Sequence, residues 1–205
     1  MSGRKIVKKF SFAILAAAVL VPLAAPAAAQ MGGPGYQGLS FVQAVKERDG
    51  DKAQQALGDN PTPAIINARD GDGNTALIIT VARRDPEWTG FLLNKGADPD
   101  LGAQKSGDTP LIIASRIGFD QAVQWLLSMG AKVDEANKMG ETPLIAAVQQ
   151  RQIPIIRLLL AAGADPDKTD TAQGFSARDY AQRDTRSREI LQMINAKKPK
   201  PTAAH

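Results

Sequence analysis

GETPLIAA, residues 140–147, joins a glycine to a Thr-Pro step and then to a run of small and apolar residues. Thr-Pro-Leu-Ile occurs again at 109–112, and Thr-Ala-Leu-Ile at 75–78. Thr75, Thr109 and Thr142 stand 34 and 33 residues apart, and the Gly-Ala pairs beginning at 96, 130 and 163 keep the same two intervals. So do the Leu-Leu pairs at 92–93, 126–127 and 159–160. Three independent markers on one period define an array of structural repeats.

Elementary chemistry reads each unit. Gly73, Gly107 and Gly140 lie two residues before the threonine, where a turn must feed a helix. The threonine hydroxyl is suited to cap that helix, and Pro110 or Pro143 takes the first helical position, where no amide hydrogen is missed. The helix is expected to bury Leu77, Leu111 and Leu144, with Thr80, Ala114 and Ala147 one turn on, small enough to let neighbouring helices approach. A second helix carries Thr89, Val123 and Ile156 and then the leucine pair, an apolar stripe at helical spacing. It ends at Gly96, Gly130 and Gly163, which can take the left-handed conformation that stops a helix. Pro86 and Pro154 fall near its start, where proline is tolerated.

The segments GNTALIITVARRDPEWTGFLLNKGADPD, GDTPLIIASRIGFDQAVQWLLSMGAKVD and GETPLIAAVQQRQIPIIRLLLAAGADPD closely resemble ankyrin repeats. That family has a period of about 33 residues and a Thr-Pro-Leu-His-x-Ala signature. The resemblance implies an all-α ankyrin-repeat solenoid of stacked helix-turn-helix pairs with β-turn or hairpin loops. It implies about five repeats with divergent caps: 39–68 as an N-terminal cap, then 69–102, 103–135 and 136–169, and 170–195 as a C-terminal cap. Residues 196–205 are expected to be a disordered tail. Two departures stand out. Ile78, Ile112 and Ile145 replace the signature histidine, so apolar contact is expected where the family has a polar link. Arg178 stands where the last unit should bury a leucine, which fits a half-exposed end.

At the other end, Arg4, Lys5, Lys8 and Lys9 precede an uncharged apolar stretch with small residues at Ala27 and Ala29. This pattern is read as a secretory signal peptide over residues 1–29, cut after Ala29. Residues 30–38, containing MGGPGYQG, are expected to form a flexible lead. An uncleaved anchor is the competing reading, since a span needs ~20 apolar residues. The second half of the stretch, however, is Ala-rich and interrupted by Pro22 and Pro26. The whole chain has 25 Lys+Arg against 21 Asp+Glu, and four of those basic residues leave with the signal, so 21 of each remain. A nucleic-acid binder would keep a basic face, and Lys197, Lys198 and Lys200 read as a solvated tail. There is no cysteine, so stability must come from packing alone. A periplasmic bacterial protein is expected, with secretion as the alternative. It should be monomeric, without nucleic acid and without stable membrane insertion after cleavage.

Sites of chemistry are sparse. DGDGNT at 70–75 offers Asp70, Asp72 and Asn74 at the spacing of an EF-hand loop. Thr75 and Val81, however, stand where such a loop needs glycine and a bidentate glutamate. A repeat turn with a helix cap accounts for the same residues, so no metal is expected. The one histidine, His205, is the last residue, and the serines lack a base for a triad. The Asp-Pro-Asp stretches at 98–100 and 165–167 fall in turns after second helices. No phosphate loop is present. Neither enzymatic activity nor a cofactor is expected, and Trp88 and Trp125 read as packing residues.

In the ankyrin family the surface made by turn tips and first helices usually binds another protein. Carried over position by position, the resemblance implies contacts from Asp72, Asn74, Arg83, Lys105, Asp108, Arg116, Ile117, Lys138, Met139, Glu141, Gln149 and Gln150. Ile117 is expected to be exposed beside Arg116, an apolar anchor with an arginine. The expected function is a non-catalytic module that binds a partner protein in the bacterial envelope as scaffold, protector or inhibitor. The alternatives are a secreted effector acting on a host protein, or a periplasmic protein binding calcium or another small ligand.

Overall fold

The computed structural model describes residues 34–58 and 61–196. The expected signal peptide, its cleavage site, and residues 197–205 of the expected tail lie outside them. The described residues form eleven helices. Extended pairing is limited among them to two isolated antiparallel bridges, Arg69–Thr75 and Thr169–Ser176.

Three central repeats each supply a helix pair: α4 (Ala76–Ala82) with α5 (Pro86–Asn94), α6 (Pro110–Ile117) with α7 (Asp120–Ser128), and α8 (Pro143–Gln149) with α9 (Ile153–Ala161). Before them come α1 (Pro34–Glu47), α2 (Gly50–Leu57) and the short α3 (Pro63–Ile66). After them come α10 (Ala177–Arg183) and α11 (Arg188–Ala196).

The threonines start these helices as their chemistry predicts. Oγ1 of Thr75, Thr109 and Thr142 accepts the amides of Ile78, Ile112 and Ile145, each at 3.2 Å. Pro110 and Pro143 take the first helical position. The second helices stop before Gly96, Gly130 and Gly163, whose φ values are 86°, 85° and 100°. A cap contributes about 1 kcal/mol, whereas full burial of Leu77, Leu111 or Leu144 contributes roughly 1.5–3 kcal/mol each. Caps therefore set where helices begin, and packing holds them.

Helices α1, α4, α6, α8 and α10 pack side by side in one row, and α5, α7, α9 and α11 in a second. Between the rows lie Leu77, Leu92, Leu111, Leu126, Leu144, Ile156 and Leu159, all buried. Thr80, Ala114 and Ala147 are fully buried where the first helices meet. The Thr80 hydroxyl is satisfied by Leu77 O and by the Thr89 hydroxyl. Ile78, Ile112 and Ile145 are buried as well, so apolar packing occupies the histidine position. Trp125 lies against Gly90 of the preceding repeat, where an added Cβ would sit 3.5 Å from its ring.

The lead expected across 30–38 gives way to helix within that stretch, because α1 begins at Pro34. Gly35 and Gly38 read as flexible in sequence, yet Gly38 is buried. A Cβ on it would come within 2.5 Å of the Ala68 Cβ, so this glycine serves close packing. At the far end, Arg178 is half-buried and pairs with Asp167 at 2.6 Å, as a capping unit allows.

Candidate partner-binding surface

Each repeat opens on a hairpin turn whose tip is built by local side chains. Oδ1 of Asp70 accepts the amides of Asp72 and Asn74, both at 2.9 Å, and its other oxygen pairs with Lys46 at 3.0 Å. This carboxylate thus organises a turn. Burial tends to raise its pKa, but the Asn74 amide and Lys46 outweigh that and hold it below the ordinary value. Asn137 does the same in a later turn, accepting the amides of Met139 and Glu141. Asp170 accepts those of Gln173 and Gly174 and the Tyr180 hydroxyl, the last at 2.6 Å.

Backbone hydrogen bonds tie each tip to the next. Gln104 N–H donates to Gly73 O at 3.0 Å, Lys138 N–H to Ser106 O at 3.0 Å, and Thr171 N–H to Met139 O at 2.8 Å. The result is a fixed row of tips. Asp72, Lys105, Lys138 and Met139 stand exposed along it, Met139 at 59%. Asp72 and Lys105 form an exposed ion pair at 3.2 Å, while the Lys138 ammonium donates to Gln104 O at 2.6 Å. Gln149 and Gln150 are exposed at the end of α8.

Other sequence-derived contacts are committed elsewhere. Arg116 bonds Asp108 at 3.1 and 3.3 Å and Glu141 of the next repeat at 2.5 Å. Asn137 Nδ2 donates to the same two carboxylates at 2.6 and 3.0 Å. Burial would raise the Asp108 carboxyl, but its bonds to Arg116 and Asn137 outweigh burial and hold its pKa below the usual value. Burial would likewise weaken the hold of Arg116 on its proton, yet the two carboxylates raise its pKa. These four residues form a cross-repeat network. Arg83 donates to Lys46 O and Val45 O at 2.9 and 3.0 Å, holding the end of α1. Asn74 is half-buried in its turn.

Ile117 corrects the sequence reading. It is half-buried and packed on the core rather than exposed. The reason lies in its neighbours: Arg84 of the preceding repeat donates to Ile117 O and Gly118 O, and Gln152 of the following repeat fills the space beside Gly118.

The sequence reading also missed a set of arginines at the bend between paired helices. Arg48, Arg84 and Arg151 have φ of 59°, 54° and 56°. Arg48 pairs with Asp85 at 3.0 Å, and Arg151 bonds Asp184 and Arg186 O. A signal was present, since Gly118 follows Arg84 by 34 residues and precedes Arg151 by 33. A glycine aligned with two arginines marks a left-handed position.

A sequence profile of ankyrin repeats in three copies matches residues 41–137 and 77–170. The chain belongs to the ankyrin-repeat family. It is also 38% identical over 71 residues to the glycerophosphocholine phosphodiesterase gde1 of Schizosaccharomyces pombe. That stretch is 35% of this chain and 6% of the relative, so the chain spans only a small fraction of that protein's length. Ankyrin repeats generally mediate protein–protein interaction, and the fold is typically non-catalytic. Among the described residues, no helix is long and apolar enough to cross a membrane.

Proposed function

We propose that this chain is an exported binding module of the bacterial cell envelope, engaging a partner protein through its turn tips and the ends of its first helices as scaffold, protector or inhibitor. The observation that carries the reading is the row of tips locked by inter-repeat backbone bonds, with Lys138 and Met139 exposed on it. A row held this way loses little conformational freedom when a partner binds. Met139 supplies an adaptable apolar contact, and Lys138 and the Asp72–Lys105 pair supply polar ones. The basic, then apolar, then small-residue N-terminus supports export, with cleavage after Ala29.

Site-specific photo-crosslinking tests the surface. A crosslinker placed at Met139 or Gln150 should trap one partner protein, while the same group at Met129, exposed at the end of α7, should not. Trapping at Met129 alone overturns the reading. Intact-mass measurement on the envelope fraction tests the location: a chain beginning at Gln30 is expected, and a full-length cytoplasmic chain would contradict export.

A further inference from the structure

We propose that the cleft between α7 and α9 is a self-association surface whose occupant is a second copy of this chain, bound about a two-fold axis. The cleft encloses about 350 Å³ and is lined by Asp120 and Gln124 of α7 and by Ile153, Pro154, Arg157 and Leu158 of α9. Ile153 and Leu158 are half-buried on the core and form an apolar floor. Asp120 and Arg157 are exposed, one on each bank. Among the described residues neither makes an ion pair or a side-chain hydrogen bond. Arg84, Arg116 and Arg151, by contrast, are all engaged.

An acid on one bank and a base on the other make the cleft complementary to itself. When such a patch meets its own image turned through half a revolution, Asp120 of each copy faces Arg157 of the other, twice over. A foreign partner would have to bring both charges in the right order, whereas a second copy already carries them. Without its first 29 residues the chain holds 21 basic and 21 acidic residues, so no net repulsion opposes the approach of two copies. A stable interface buries roughly 1,200 Å² or more. One cleft is only a fraction of that, so the dimer is weak and concentration-dependent, and at low concentration the chain is the monomer expected from its sequence. The surface lies on second helices and includes none of the turn-tip residues, so it stands apart from the partner-binding reading.

Sedimentation velocity over a concentration series tests the proposal on the protein as purified from expressing cells. The native chain should shift from monomer towards dimer with rising concentration. Asp120→Arg and Arg157→Asp should each weaken the dimer by about tenfold or more, because each puts like charges in contact twice. The double exchange Asp120→Arg/Arg157→Asp restores the cross-pairing and should restore the dimer. Circular dichroism melts confirm that all four chains are folded. A native chain that stays monomeric throughout overturns the proposal, as does a dimer insensitive to either single change or a double exchange that fails to recover it.

Discussion

Arg83 and Arg84 are adjacent in sequence and hold opposite neighbours. Arg83 reaches back to Val45 O and Lys46 O at the end of α1, and Arg84 reaches forward to Ile117 O and Gly118 O at the end of α6. Each guanidinium meets the negative end of a helix whose last carbonyls lack helical partners. The left-handed backbone of Arg84 is what turns the second side chain away from the first.

This geometry separates two effects at residue 84. Arg84→Ala removes the stitch and keeps a Cβ at positive φ, and it should destabilise by about 1 kcal/mol, discounted for exposure. Arg84→Gly removes the same stitch but relieves the backbone, so its loss should be smaller. Urea unfolding of the two variants checks the order, and a larger loss for glycine would contradict this account of the bend.

Ser115 occupies the position that valine holds at 81 and 148, is fully buried, and has no hydrogen-bond partner for its Oγ among the described residues. An unpaired buried hydroxyl costs about 1–3 kcal/mol. Ser115→Val should therefore stabilise the protein, with Ser115→Ala a smaller step in the same direction. Thermal unfolding gives the answer, and a lower Tm for both variants would mean that the hydroxyl has a partner.

The repeat period, the caps, the terminating glycines and the buried leucines were legible in sequence because each rests on local chemistry within one unit. Three features were not. Arg116 looked like an exposed arginine beside an apolar anchor, but its partners Asp108 and Glu141 lie in two different turns, and only the stacking distance brings them together. Ile117 looked exposed from its helical position, yet Arg84 and Gln152 from the flanking repeats crowd its end of α6. Gly38 looked like a linker residue because contact with Ala68, thirty residues on, leaves no mark in its own neighbourhood.

Gly140 combines a φ of 73° with a close approach, since an added Cβ would lie 2.6 Å from the Thr171 amide nitrogen that bonds Met139 O. The positive φ alone costs an alanine roughly 1–2 kcal/mol, and the clash falls on backbone that cannot swing away. Gly140→Ala should lower the melting temperature more than Gly130→Ala, whose Cβ would meet nothing within 4 Å. Equal effects would mean that the tip-to-tip bond contributes little.

Acid should weaken the Arg116 network. The pKa of Asp108 is lowered in the folded chain, so the stability it contributes is present above its unfolded value of about 3.9. That stability is lost as pH falls through the lower folded value. Asp108→Asn should flatten the stability profile below about pH 4. Arg116→Met leaves Asp108 and Glu141 facing each other and should cost about 1–2 kcal/mol at neutral pH. The gap should narrow on acidification as Asp108 is protonated and its repulsion of Glu141 falls away. Urea titrations at stepped pH measure both, and a gap that widens in acid would contradict the assignment.

Quantitative capture from a native envelope extract tests the turn-tip surface with three baits: the unchanged chain, Lys138→Glu/Met139→Glu on the turn tips, and Arg157→Asp on the outer helices. Circular dichroism establishes that all three are folded. Binding through the turn tips predicts one protein retained by the first and third baits and lost from the second. A protein held equally by all three, or lost only with the outer-helix change, would contradict binding through the turn tips.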